Sequence, residues 1–362
     1  MSELLALFIL FGVAIVWFSL PLLPTMIEIR QRTEARPLAV DRENDGEVRH
    51  FARRFKAYLE SNFRRPTLRE CVEQGVGLEG RFEDGTLYRV VGRTDDYFSQ
   101  PARGPQSVTG IIVFSGPAGV PDGFEFVHGI YAADNFECGR KTLIRSLYGV
   151  RDVRLAERCV VLRWLHAENE LVVGEGSSLY GRASAEAWMR LGAHVEFERL
   201  HARRIIFEGG SAPLPSNVLS WIPLPPAQVR TTRMAENCYS VDDDLEVPPQ
   251  TVIRGDFVVR GAVRIGRQAR IEGSIKSHQD MRMADGVLIE GSVISGGDLE
   301  IGGDCRIRGP VVASRTLRIR SGCEIGLPTY ATSTIAPSIF VEPGVLVFGT
   351  VWARNHGRVG AE

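Results

Sequence analysis

An eighteen-residue repeat constrains the fold of this chain more than any other feature of its sequence. Cut every eighteen residues from Ile253, the sequence gives four segments that align without a gap. Positions 1, 5, 11, 13 and 17 are apolar in every segment, and position 1 is always isoleucine, at Ile253, Ile271, Ile289 and Ile307. Apolar residues make up 44% of the 362 residues, so twenty apolar positions out of twenty are not an effect of composition.

The spacing inside each segment indicates short strands separated by bends. Positions 11 and 13 lie two apart, which is the period at which a strand directs side chains to one side. Position 3 is glycine in all four segments, at Gly255, Gly273, Gly291 and Gly309, and predicts a corner where a side chain would obstruct the backbone. The repeat therefore predicts a mainly β fold, a parallel β-helix whose windings stack about 4.8 Å apart.

The same spacing continues upstream in a less regular form. A register that starts at Leu143, Val161 and Leu179 places apolar residues at fourteen of fifteen inward positions. We therefore predict irregular β-helix windings over residues 121–208 and the regular β-helix over 245–353.

Two further stretches follow from this division. Residues 209–244 contain the sequence SAPLPSNVLSWIPLPPAQ, whose prolines forbid a regular ladder, so an insertion loop is predicted there. The polar residues 354–362 are predicted to form a tail.

The amino terminus predicts a membrane anchor. From Leu4 to Leu23 the chain has twenty uncharged positions, enough for a helix to cross a hydrocarbon core of about 30 Å. A cleaved signal peptide is the competing interpretation, but no Lys or Arg precedes the apolar run. We predict a transmembrane anchor over residues 1–27, a charged linker over 28–47, and a small mixed α/β region, a helix plus short strands, over 48–120.

Basic residues near this apolar run predict its orientation. Glu3 lies on one side, and four arginines lie on the other, at Arg30, Arg32, Arg36 and Arg42. Because cytoplasmic flanks carry the basic excess, the large carboxyl-terminal part is predicted to be cytoplasmic. The amphipathic helix that follows carries Arg49, Arg53, Arg54 and Lys56 on its polar side, which is predicted to face solvent, with anionic lipid as the alternative.

The carboxyl-terminal block resembles the bactofilins, bacterial polymer-forming cytoskeletal proteins. The segments that carry the resemblance are IGRQARIEGSI, MADGVLIEGSVISGGDLEIGGDCRIRGPVVA and VEPGVLVFGTVWA, within residues 245–353. The resemblance implies a right-handed, roughly triangular β-helix that polymerises end to end without nucleotide. It also implies a scaffold for cell-envelope or cell-shape factors. Together with the apolar run, it predicts a single-pass protein of the inner (cytoplasmic) membrane with a cytoplasmic carboxyl-terminal domain.

The last winding is the predicted self-association surface. The terminal winding of a stacked coil exposes unpaired strand groups unless something covers it. Only nine residues follow Ala353, so we predict contacts with a second copy through Val347, Phe348, Val351 and Trp352. The alternative is that Trp352 folds over the core of its own coil.

An enzyme is the rival hypothesis. The apolar columns also fit a six-residue period, which is similar to the hexapeptide repeat of left-handed β-helix acyltransferases acting at the membrane. Such enzymes need a base, and His278 is the one histidine inside the four clean segments. It lies at an outward corner with no adjacent carboxylate except Asp280, which favours a solvated turn. We therefore predict no catalytic residue and no enzymatic activity.

The remaining cysteines and clustered acidic residues predict no cofactor and no metal site. Cys305 and Cys323 lie one winding apart in an inward column and are predicted to be small buried hydrophobic residues. Residues 242–244 are three aspartates, predicted to end a loop in solvent. With 43 basic and 44 acidic residues, no overall field favours nucleic acid. The predicted partners are further copies of the chain, the inner membrane, and envelope or cell-shape proteins.

Overall fold

The computed structural model describes residues 48–64, 66–75, 77–92, 106–209, 222–223 and 232–360, together with Leu10 and Phe98. Within this part of the chain, no helix is both long enough and apolar enough to cross a membrane. This finding contradicts the predicted single-pass membrane location. The apolar run on which that prediction rested lies, apart from Leu10, outside the described residues.

Among the described residues from 48 onward, two short helices and a hairpin precede the first winding. Helix α1 comprises His50–Asn62, as the amphipathic spacing predicts, and helix α2 comprises Leu68–Gln74. A capping box begins α2, since Thr67 and Glu70 each accept the other's backbone N–H. Strands β1 (Leu78–Arg81) and β2 (Leu87–Val91) pair antiparallel.

The amino-terminal arm of the fold is a parallel coil over residues 106–207, whose strands are β3 (Gln106–Val108), β4 (Ile111–Phe114), β5 (Ala118–Val120), β6 (Phe124–Ala132), β7 (Phe136–Cys138), β8 (Leu143–Gly149), β9 (Val153–Leu155), β10 (Val160–Ala167), β11 (Glu170–Val173), β12 (Ser178–Ala185), β13 (Trp188–Leu191) and β14 (Glu196–Phe207). Strands β6, β8, β10 and β12 each bend from one face of the coil to the next.

The carboxyl-terminal arm is a second parallel coil. It begins with β15 (Ile222–Pro223), β16 (Thr232–Ala235), β17 (Cys238–Val241), β18 (Leu245–Val247) and β19 (Thr251–Arg254). The regular windings contain β20 (Asp256–Val259), β21 (Val263–Ile265), β22 (Arg270–Glu272), β23 (Ile275–Ser277), β24 (Met281–Met283), β25 (Leu288–Ile289), β26 (Val293–Ser295), β27 (Leu299–Ile301), β28 (Arg306–Ile307), β29 (Val311–Ala313), β30 (Thr316–Ile319) and β31 (Glu324–Ile325). The arm ends with β32 (Thr332–Val341) and β33 (Leu346–Val359).

These strands form a β-solenoid of about 13 turns with windings of about eighteen residues, which confirms the predicted β-helix. The coil has three faces, and each is a continuous ladder of paired strands through both arms. Face A runs from β3 through β14 and β33 to β18. Face B runs from β2 and β4 to β17, and face C runs from β5 through β19 to β15.

The predicted inward columns lie directly over one another. Ile253 pairs with Ile271, Ile271 with Ile289, and Ile289 with Ile307, and all four side chains are at most 1% exposed. At the glycine corner, a Cβ on Gly273 would lie 2.2 Å from the carbonyl oxygen of Gly255. The corner is therefore glycine because the preceding winding approaches too closely for a side chain.

Aspartates at the bends fix the offset between successive windings. The Asp244 carboxylate accepts the N–H of Ala262 at 2.8 Å, and the Asp280 carboxylate accepts the N–H of Asp298 at 2.9 Å. Each pair is eighteen residues apart. The backbone hydrogen bond from Asp298 also lowers the pKa of Asp280, so this carboxylate stays ionised and keeps its partner. The bends are thereby tied from one winding to the next.

Three predicted boundaries differ from the observed ones. The coil begins with β3 at Gln106, inside the region 48–120 that was predicted to precede it, because β3, β4 and β5 pair in parallel with the next winding. Strands β16 and β17 form an antiparallel hairpin inside the stretch predicted to be an insertion loop, and β17 opens face B of the carboxyl-terminal arm. Strand β33 continues to Val359, well past the predicted start of the tail. It continues because β32 and β14 supply pairing partners on both of its edges.

The glycine corner gives the first prediction. Gly273→Ala forces a methyl group against the Gly255 carbonyl and should lower the free energy of unfolding by about 1–3 kcal/mol. Gly119→Ala is the matched control, because no atom lies within 4 Å of the added methyl group. Urea unfolding followed by circular dichroism measures both. Equal midpoints for the two variants would contradict the packing explanation of the corner.

Candidate functional site

The two arms meet end to end through their last windings. Strand β14 pairs antiparallel with β33 on all three faces, with Phe197 opposite Gly357, Leu200 opposite Val351, and Ile205 opposite Val347. Each strand is the last of its own arm, so the arms run in opposite directions along the ladders that they share. Antiparallel pairing is what this opposition requires.

Hydrogen bonds and apolar contacts close the junction. The N–H of Phe207 donates to the Val345 carbonyl at 3.1 Å, and the N–H of Gly344 returns a bond to the Phe207 carbonyl at 2.7 Å. At the other end, the N–H of Val359 donates to the Val195 carbonyl at 2.9 Å. Leu200 and Val351 are fully buried, so the core is continuous from one arm into the other.

Aromatic and polar side chains reinforce the outer surface of the junction. The Arg199 guanidinium lies 4.6 Å from the ring centroid of Trp352, and that of Arg204 lies 5.6 Å from the ring of Phe348. Nδ1 of His201 lies 2.9 Å from the Thr350 hydroxyl oxygen.

The structure places the four residues predicted to contact a second copy at this junction. Val347 and Val351 pair with β14, Phe348 is 3% exposed beneath Arg204, and Trp352 lies under Arg199. The surface assigned to a second copy is therefore covered by the amino-terminal arm of the same chain. The expectation that the last winding needs a cover was physically sound, but the cover comes from a segment about 150 residues upstream.

Helix α1 forms a second candidate site, on the outer surface of face B. Its thirteen residues span about 20 Å, close to four winding steps of about 4.8 Å. Arg49 pairs with Glu186 at 2.9 Å, and Lys56 pairs with Glu168 at 2.8 Å. These carboxylates are one winding apart, so the helix lies along the stack of windings and crosses several of them.

Aromatic contacts hold the apolar side of α1 against the coil. The rings of Phe55 and Trp164 have centroids 5.3 Å apart. A Cβ on Gly129 would lie 2.6 Å from the Phe55 ring, so Gly129 forms the socket for this ring. The Arg182 guanidinium lies 4.8 Å from the centroid of Phe51.

A buried polar column lies below the helix. Tyr131, Tyr148, His166 and Ser184 occupy successive windings in register, and each is at most 7% exposed. His166 Nδ1 lies 2.8 Å from the Ser184 hydroxyl oxygen, and the Tyr148 hydroxyl donates to the carboxylate of Glu168. The Tyr148 hydroxyl, Nδ1 of His166 and the Ser184 hydroxyl thereby have partners inside the interface.

Burial perturbs the titratable groups of this column. It lowers the pKa of His166 to about 4, so the imidazole is neutral at pH 7. Burial and the nearby carboxylate raise the pKa of Tyr148. Burial also acts to raise the pKa of Glu168, but hydrogen bonds from Lys56 and Tyr148 outweigh it and lower the pKa, which keeps this carboxylate ionised.

The column resembles catalytic chemistry only in composition. A serine beside a histidine is the first requirement of a nucleophile and its base. Here Ser184 is 1% exposed and His166 is 4% exposed, beneath α1. The column is linked to the helix through Tyr148, whose hydroxyl binds the Glu168 carboxylate that pairs with Lys56 of α1. Sequence reasoning missed it because Glu168 and Glu186 lie more than 110 residues from their helix partners.

The other predicted positions lie in ordinary structural settings. His278 is exposed in the turn after β23, while the neighbouring Ser277 is buried and donates its hydroxyl to the Gly261 carbonyl at 2.9 Å. Cys305 and Cys323 are buried free thiols. Within the described ranges, no group of three or more His, Cys, Asp or Glu residues is arranged to hold a metal ion.

Comparison with protein-family models, with curated proteins and with solved structures finds no match for this chain.

The buried histidine gives a pH prediction. Because the pKa of His166 is about 4 in the folded state and about 6.5 in the unfolded state, between these values the unfolded chain binds the extra proton. Stability should therefore fall by up to about 3 kcal/mol as pH drops from 6.5 to 4. His166→Asn should flatten this dependence, while His278→Asn, in the exposed turn, should leave it unchanged.

Urea midpoints at pH 7, 6 and 5 measure the effect. An identical pH dependence in wild type and His166→Asn would show that His166 titrates with an ordinary pKa and that the helix does not bury it.

Proposed function

We propose that this protein is a structural scaffold of the bactofilin kind, in which a right-handed β-helix rod organises cell-envelope or cell-shape proteins. The junction of β14 with β33 supports the proposal most directly, because it joins two coils into a single rod. About 13 turns at about 4.8 Å each give a rod about 60 Å long. A long, stiff object with regularly repeated outer surfaces is suited to positioning other proteins.

The junction changes how end-to-end assembly would occur. The last windings of the two arms pair with each other inside the chain, so the first windings of the two arms form the outer ends of the rod. At one end, β3 and β5 each pair on one side only among the described strands, and at the other end β18 does so. Strands paired on one edge are the groups through which rods of this kind can extend one another.

The acyltransferase alternative has less support. It needs a base near an acceptor, and His278 is exposed in a turn of the coil. The buried His166 and Ser184 are covered by α1 instead of facing a substrate. No observation on the described residues favours this alternative over the scaffold.

Strand β18 provides the test of assembly. The N–H of Leu245 and the carbonyl of Val247 bond to the neighbouring winding, so the N–H of Glu246 points outward from the end of the rod. Glu246→Pro removes this donor without breaking the internal ladder. Glu246→Ala keeps the donor and is the matched control.

Electron microscopy and sedimentation velocity of the full chain without nucleotide measure the outcome. We expect concentration-dependent end-to-end species for wild type and Glu246→Ala, and at least a tenfold higher concentration requirement for Glu246→Pro. Monomeric wild-type protein at every concentration would contradict self-assembly. Trimers that bind an acyl donor would instead support the acyltransferase.

A further inference from the structure

The outer surfaces of the three faces differ in the carboxyl-terminal arm. Along face A, the outward residues of successive windings are mostly charged, namely Arg264, Arg282, Glu300, Arg318 and Phe340. Along face C, charged and apolar residues are mixed, in the order Val252, Arg270, Leu288, Arg306, Glu324 and Leu346, and a charged residue always separates one apolar residue of this series from the next. Face B differs, because four consecutive windings present Ile294, Val312, Ile335 and Trp352.

We call these four residues the apolar stripe. They pair in register from one winding to the next, and each is partly exposed, while the inward neighbours Val293, Val311 and Val351 are fully buried. An uninterrupted run of outward apolar side chains on one face, where charged residues interrupt the outer columns of the other two faces, is typical of a binding surface.

The apolar stripe lies in the same outward column of face B as residues of the amino-terminal arm that helix α1 covers. Across the junction, Trp352 pairs with Arg199, Arg199 with Arg182, and Arg182 with Trp164. Helix α1 covers this continuation through Phe51 on Arg182 and Phe55 on Trp164. One outward column therefore runs along face B, and in the amino-terminal arm its occupant is an amphipathic helix.

The dimensions of the apolar stripe favour the same kind of occupant. Its four residues span three winding steps, about 14 Å, which matches about ten residues of helix. The stripe is one side chain wide in each winding, whereas a stable dimer buries roughly 800 Å² on each partner. A second rod laid flat on this face would rest mainly on the polar bends beside the stripe.

From these observations we infer that the apolar stripe binds an amphipathic helix of a partner protein, aligned with the stack of windings as α1 is. The partner helix presents large apolar side chains four residues apart, as Phe51 and Phe55 do in α1. This inference rests on the proposed scaffold function and deepens it, because the partner helix belongs to a protein that the rod positions. It assigns client binding to face B of the carboxyl-terminal arm.

A helical peptide is the probe. A fluorescein-labelled peptide with the sequence of residues 48–64, which contains α1, is titrated with the full-length protein and followed by fluorescence anisotropy. We expect saturable binding, and at least a tenfold higher Kd for Val312→Glu and for Ile294→Glu. Leu288→Glu is the matched control, since it places the same charge at an outward, partly exposed position on face C, and its Kd should equal that of wild type.

Further variants identify the site and the occupant. The same peptide carrying Phe51→Glu and Phe55→Glu should not bind. Val312→Thr, which keeps the side-chain shape without a charge, should weaken binding less than Val312→Glu, and circular dichroism verifies that every variant is folded.

Several outcomes would overturn the inference. The inference fails if the peptide shows no saturable binding, or if Leu288→Glu raises the Kd as much as Val312→Glu does. Binding lost in Trp164→Ala but retained in Val312→Glu would show exchange with α1. Self-association abolished by Val312→Glu would identify the occupant as a second copy instead. End-to-end assembly that depends on Glu246 but not on Val312 would leave the scaffold proposal intact while the inference fails.

Discussion

The last winding of a β-solenoid must be covered, and the rest of this structure follows from how the chain meets that requirement. An end winding presents unpaired backbone groups on each face and the open end of an apolar core. Here the end winding of each arm covers the other, through antiparallel pairing of β14 with β33 on three faces. Each end winding supplies both the hydrogen-bond partners and the apolar surface that the other end winding lacks. The result is one core without a break between the arms.

The pairing of the two arms explains why the three faces have different outer surfaces. The junction keeps each face continuous, so a surface that begins in one arm can extend into the other. On face B, helix α1 occupies the amino-terminal part, held by ion pairs from Arg49 and Lys56 and by the Phe55 ring over Gly129. The apolar stripe occupies the carboxyl-terminal part. Charged residues interrupt the outer columns of faces A and C, whereas the apolar stripe is uninterrupted, which leaves face B as the surface suited to binding.

The sequence predicted the coil far better than it predicted the contacts between distant segments. Ile253, Ile271 and Ile289 stack as the repeat requires, because a fixed period places like side chains over one another. No such period links Leu200 to Val351, and the antiparallel pairing of the arms was therefore not predicted. The amphipathic spacing correctly predicted α1, but it could not reveal that Arg49 and Lys56 meet carboxylates of the coil instead of solvent. The partners of these residues depend on the assembled fold.

The most direct test of this account is a cross-link across the junction. His201 and Thr350 lie opposite each other in β14 and β33, with their side chains in contact on the outer surface. The full chain carrying His201→Cys and Thr350→Cys is oxidised at low concentration, and the linked peptides are identified by mass spectrometry. A disulfide between these two positions within a single monomeric chain is the predicted result. A link that forms only between two chains, or no link under conditions in which both thiols react with an alkylating reagent, would contradict the junction.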